Sequence, residues 1–133
     1  MTRSRKPRRG AAMVEFACTF PILLLFTFAG IEFSRVNMIR NTAINAAYEG
    51  ARMGIVPGAT SSECEQAAEQ LLKLIDVKGA TAVATPKKIE PKTESITVTV
   101  TVPITSENAF IAPKYFFGKS VTSTVTLPRE VTF

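Results

Sequence analysis

GAAMVEFACTFPILLLFTFAGIEFSRV, from Gly10 to Val36, decides how the rest of the chain is read. Residues 16–31 are sixteen consecutive positions without a charge, and they follow directly on a solitary glutamate, Glu15. Wound as an α-helix, residues 11–31 span roughly 30 Å, which matches the hydrocarbon thickness of a bilayer. Ahead of them stands MTRSRKPRRG, a leader with five positive charges and no negative one. A basic flank of this kind stays on the cytoplasmic side of a membrane. A carboxylate at the membrane edge is costly and calls for a purpose.

Composition fits a small membrane-anchored protein. The 133 residues leave room for one domain of modest core beside the anchor. The net charge of +5 resides in the leader, which holds five of the sixteen basic residues and leaves eleven against eleven acidic ones elsewhere. The positive-inside rule therefore accounts for RSRKPRR, and no nucleic-acid partner is expected. Histidine and tryptophan are absent, so a histidine-based metal site or triad cannot be built, and no metal or cofactor is expected. The two cysteines, Cys18 and Cys64, are expected to stay unpaired, because a helix running between them holds them tens of Å apart. Cys64 falls on the apolar side of a predicted helix and reads as a small core residue.

Beyond Ile31 the pattern remains helical but becomes amphipathic, with Val36, Ile39, Ala43, Ala47, Ala51 and Gly54 recurring at three- and four-residue steps. Pro57-Gly58 stops it, which predicts one long element over residues 11–55, with kinks at Pro21 and Gly30 and with Thr19 or a neighbouring helix satisfying the carbonyl that Pro21 frees. Ala43, Ala46, Ala47, Gly50, Ala51 and Gly54 form a stripe of small residues suited to close backbone approach. Its partner is either the chain's own sheet or a helix of a neighbouring subunit. A second helix is predicted over residues 63–77, with Ser62 and Glu65 as a capping box and Gly79 past its end.

From Gly79 the period changes to two. Residues 95–102 and 120–127 alternate valine, isoleucine or leucine with threonine, and residues 80–85 form a weaker strand of the same kind. Three antiparallel strands are the simplest assembly, with residues 86–92 as an exposed connection. The connection over residues 103–119 is long and carries Phe110, Ile111, Tyr115, Phe116 and Phe117. These side chains either cover an open edge of the core or meet a partner or the membrane.

RRGAAMVEFACTFPILLLFTFAGIEFSRV resembles the amino-terminal segment of TadE-like pseudopilins of tight-adherence pili, a branch of the type IV pilin superfamily. The likeness is dense over residues 8–36, loosens through NTAINAAYEGAR to Arg52, and has little residue-level support beyond Pro57. It implies a leader ending at Gly10, cleavage of the Gly10–Ala11 bond by a membrane prepilin peptidase, and Glu15 as the fifth mature residue followed by the aromatic Phe16. It also implies a free amine on Ala11, and electrostatics supply a use for it. Pairing of that cation with Glu15 of an adjacent subunit would neutralise both inside lipid and set the register of assembly. The length of the remainder favours a minor or priming subunit over a major pilin, with a mild preference for TadE-like over TadF-like.

The expectation is an α+β, pilin-like chain: leader 1–10, transmembrane helix 11–32 and extracytoplasmic domain 33–133, in the bacterial inner membrane or a surface pilus. Implied partners are prepilin peptidase, other pilin and pseudopilin subunits, and the inner-membrane assembly platform. A competing reading is a secreted or membrane-anchored binding domain with an ordinary signal sequence cut near Thr27-Phe28-Ala29, against which Glu15 weighs. Catalysis is not expected, because Asp76, Glu90, Glu94, Glu107 and Glu130 are dispersed and form no readable acid/base pair.

Overall fold

The computed structural model describes residues 9–109, 114 and 118–129. Its elements follow in the order α1 (Arg9–Ile55), α2 (Ser61–Leu74), β1 (Thr81–Thr85), β2 (Ser95–Pro103) and β3 (Ser120–Pro128). The architecture is α+β: a long helix whose second half packs, with a short helix, on a three-stranded antiparallel sheet of order β1-β2-β3.

α1 runs 47 residues without a break through Pro21 and Gly30, so neither position interrupts the helical assignment. Pro21 has no N–H to offer the carbonyl of Ala17, one turn back. The hydroxyl of Thr19 does not fill that gap. It donates to the Glu15 carbonyl at 2.8 Å, because a helical threonine reaches the residue four back, and Ala17 is only two back. Past Ile55 the chain turns through Gly58, whose φ of 86° is open to glycine at little cost.

α2 begins two residues earlier than the sequence predicts and ends three residues earlier. Thr60 is the N-cap, in extended conformation, and its hydroxyl accepts from the Glu63 N–H while the Glu63 carboxylate accepts from the Thr60 N–H at 2.8 Å. TSSECE contains two overlapping matches to the capping-box spacing, and the structure uses Thr60 with Glu63 rather than Ser62 with Glu65. Glu65 is thereby released for another task, accepting the N–H of Ala84 in β1 at 3.0 Å. The helix closes not at Gly79 but in a Schellman arrangement around Asp76, which takes φ 53°. Asp76 N–H bonds the Lys73 carbonyl and Val77 N–H bonds the Leu72 carbonyl. Val77 then folds back into the core beside Leu72, the apolar contact that accompanies this cap.

The strands follow the alternation in the sequence. In β2 every second residue, Ile96, Val98, Val100 and Val102, is fully buried under the helices. Val121, Val125 and Leu127 of β3 pack against the same core from the sheet edge and are half-buried. The other face holds three registered rows. Thr81, Thr101 and Thr122 make the first, Val83, Thr99 and Thr124 the second, and Thr85, Thr97 and Thr126 the third. Hydroxyls of β2 and β3 are hydrogen-bonded across this face, Thr97 to Thr126 at 2.8 Å and Thr99 to Thr124 at 3.1 Å. β-Branched side chains suit both requirements, since their stiff χ1 favours strands and their methyl or hydroxyl meets the cross-strand neighbour.

The small-residue stripe of α1 is where the helix meets this layer. Ala43, Ala46, Ala47 and Ala51 are completely buried, and Gly50 and Gly54 are buried beside them. A Cβ on Gly50 would lie 2.7 Å from the Cys64 carbonyl oxygen, and one on Gly54 would lie 2.5 Å from Ile96 Cδ1. The stripe is thus occupied by the chain's own α2 and β2, with backbones closer than alanine allows at two points.

Candidate assembly rod and its junction with the head

Among the described residues, nothing packs against the first half of α1. Every residue from Gly10 to Ile31 is exposed, including Phe16, Ile22, Leu23, Leu25 and Phe26, and none of the apolar window is buried within the protein. A contiguous apolar surface of this extent marks a membrane or partner contact. The helix is long and apolar enough to cross a bilayer once.

Polar atoms on the rod are handled in two ways. Thr19 and Thr27 donate to the carbonyls of Glu15 and Leu23 at 2.8 and 2.9 Å, so their hydroxyls are satisfied inside the helix, as lipid requires. The carboxylate of Glu15 is exposed and has no hydrogen-bond partner among the described residues. Phe16 stacks on Phe20 one turn later, with ring centroids 5.2 Å apart, which fixes an aromatic ridge beside it. Gly10 and Ala11 are helical and exposed, so the bond between them lies on an accessible end of the rod. Exposed Cys18 and buried Cys64 are both free.

The rod meets the head at Glu32, which is 8% exposed. Arg35 donates through Nε to the Asn108 carbonyl and through Nη2 to the Ile75 carbonyl, both at 3.2 Å. The second bond places a cation at the C-terminus of α2, where the helix dipole favours it. Asn108, 2% exposed, accepts the Lys78 N–H at 2.8 Å and donates to the carbonyls of Lys78 and Pro103. One arginine and one asparagine thus tie the middle of α1 to the end of α2 and to the loop after β2. Arg35 is legible only as a polar residue off the apolar face, and nothing in the loop sequence singles out Asn108.

Titratable groups of the head are tuned locally. Two hydrogen bonds from Thr60 hold the Glu63 carboxyl below its ordinary value, and the bond from Lys78 does the same for Asp76 while raising Lys78. Burial pushes the Cys64 thiol up, with Glu63 and Glu65 adding to the effect. Among the described residues no three histidine, cysteine, aspartate or glutamate side chains gather as a metal site. Phe110, Ile111, Tyr115, Phe116 and Phe117, together with the leader up to Arg8 and Glu130, lie outside the described residues.

The stripe that packs the head and the exposed rod that leaves it are continuous in one helix, and comparison with known proteins picks out that same helix. No curated protein and no solved structure matches the chain. The family model described as TadE-like protein matches residues 10–52, which take in the exposed half of α1 and most of the small-residue stripe, and over that segment the chain is similar to this family.

Proposed function

We propose that this chain is a minor pseudopilin of a tight-adherence pilus, working by assembly rather than turnover. The TadE-like match associates it with such pili. In this reading residues 1–10 lie in the cytoplasm, residues 11–32 cross the inner membrane, and residues 33–133 form the extracytoplasmic domain. Prepilin peptidase cuts between Gly10 and Ala11. The new Ala11 amine then meets Glu15 of an adjacent pilin or pseudopilin subunit at the assembly platform, with Phe16 packing beside the pair. The mature protein initiates or joins a surface fibre used in adhesion.

The observation that carries this reading is the division of polar groups along the exposed apolar first half of α1. Both threonine hydroxyls are closed off internally, and Glu15 alone offers a charge outward within the span. An unpaired carboxylate at membrane depth costs a few kcal/mol, so a cation four residues from a neighbouring subunit's own carboxylate is a strong partner. Glu15→Ala in the native host tests it. Cleavage of the leader should continue, while the protein disappears from the sheared surface fraction and accumulates in the membrane. Unaltered incorporation of the variant would remove the assigned role of Glu15.

A further inference from the structure

If α1 is anchored in a bilayer, one end of the head is committed to face the lipid. The end of α2 and the connection after β2 both meet Arg35, through its bonds to the carbonyls of Ile75 and Asn108 at 3.2 Å. The Ile104 N–H bonds the Lys119 carbonyl at 3.0 Å, and a Cβ on Gly79 would stand 3.4 Å from Pro103, so the α2–β1 turn and both roots of the β2–β3 connection share this end. Arg35 lies four residues past Ile31, where the exposed apolar run stops, and four residues of helix advance about 6 Å. The headgroup layer on each side of a bilayer is about 5–8 Å deep. α1 is unbroken from rod to head, so no linker lets this end stand off from the surface.

The side chains found there suit that position. Leu74, in the last turn of α2, is 79% exposed, more than any other large apolar side chain among the described residues, those of the rod included. Beneath the paired ends of β2 and β3 lies a hollow of about 590 Å³, lined by Lys114 and Lys119 with Thr105, Ser106, Pro103 and Ile104. None of its described lining residues is acidic. The exposed acids of this end are directed elsewhere: Asp76 forms an ion pair with Lys78, and Glu107 acts on the same lysine.

We propose that this end of the head rests on the phospholipid headgroups of the bilayer that α1 crosses, with Lys114 and Lys119 taking the phosphate of an anionic lipid. Two ammonium groups beside two hydroxyls supply donors for a phosphodiester, and the lysine stems can lie along apolar surface while their charges reach the phosphate. Pro103, Ile104 and Leu74 meet the carbons just below. Continuity decides the occupant, because the surface that leaves the exposed rod runs directly into this end and the same bilayer meets both. The proposal rests on the membrane-anchored reading of α1.

The test uses the full chain in phosphatidylglycerol/phosphatidylcholine vesicles, with Cys18→Ser and Cys64→Ala removing the native thiols. An environment-sensitive fluorophore is attached in turn at Ser106→Cys in the hollow, at Leu23→Cys on the rod and at Lys88→Cys at the far end of the sheet, and trace lipid carrying a nitroxide near the top of one chain is the quencher. The Ser106 site should be quenched at least about fivefold more strongly by labelled phosphatidylglycerol than by labelled phosphatidylcholine, since each lysine near an anionic surface adds about that factor. Lys114→Gln with Lys119→Gln should abolish the preference, and the Lys88 site, about 30 Å away along the strands, should be quenched by neither lipid. Equal quenching by the two lipids, a preference that survives the glutamines, or quenching at Lys88 as strong as at Ser106 overturns the proposal. The Leu23 site reports the anchor separately: quenching there with none at Ser106 refutes this contact alone, and no quenching at Leu23 refutes both.

Discussion

Gly50 is the position where a single methyl group tests the packing most sharply. In the middle of a helix, glycine to alanine normally stabilises by about 1 kcal/mol. Here the new Cβ would stand 2.7 Å from the backbone carbonyl oxygen of Cys64, 3.2 Å from Ala68 Cβ and 3.2 Å from Val98 Cγ1. The carbonyl belongs to the first turn of α2 and cannot rotate away, so the two helices must separate. Overpacking of this kind costs about 1–3 kcal/mol, and because several neighbours must move together we take the upper part of that range. After the propensity gain the net loss is about 1–2 kcal/mol, equivalent to a five- to thirtyfold rise in the opened population of the head. Cys64 is fully buried and reports that opening directly. In a Cys18→Ser background, maleimide labelling of Cys64 under native conditions should accelerate by that factor in Gly50→Ala. Gly54→Ala meets the movable end of Ile96 and should open less, and Gly30→Ala, with nothing within 4 Å, should not accelerate labelling. Labelling of Gly50→Ala at or below the parent rate would refute the close approach of α1 to α2.

Further expectations concern the caps and the junction. Thr60→Ala should destabilise the head by about 1 kcal/mol in denaturant titration and Ser62→Ala by much less, the reverse of what a cap at Ser62 would give. Asn108→Leu should cost about 2–3 kcal/mol by leaving buried carbonyls and the Lys78 N–H unpaired, and hydrogen exchange should rise at the end of α2 and around Lys78. Arg35→Leu should raise exchange at the same places while leaving β2 protected. Glu63 and Asp76 have depressed values in the folded head, so their contribution is present above their ordinary values of 4.5 and 3.8 and is lost as pH falls through the lower folded values. Lys78 is raised above 10.5, so its contribution holds below that pH and fades as pH climbs through the folded value. Circular-dichroism melts across pH should show an acid loss that is smaller in Thr60→Ala.

How much of this was legible beforehand differs by element. Hydrophobic period alone located both helices and all three strands, because the apolar run of residues 16–31, the valine–threonine alternation and the Pro57-Gly58 stop are strong local signals. The cap of α2 stands at Thr60, two residues ahead of Ser62, since Thr60-Ser61-Ser62-Glu63 and Ser62-Glu63-Cys64-Glu65 satisfy the same local rule and only β1, arriving at Glu65, decides between them. Gly79 attracted the helix end although Asp76 takes the left-handed turn, an assignment that depends on where Val77 finds its core contact. The small residues of α1 were conspicuous, but their neighbours, Cys64 and Ile96, come from distant parts of the chain. Arg35 and Asn108 were invisible as a pair for the same reason. At the rod, Glu15 stood out because a charge beside an apolar run violates the pattern around it.

The intact mass of the protein taken from its native host bears most directly on the rod as a processed membrane anchor. A carbonate-resistant polypeptide beginning at Ala11 is the predicted result. A chain beginning near Gly30, or one that retains Met1 and is released freely into solution, would contradict it.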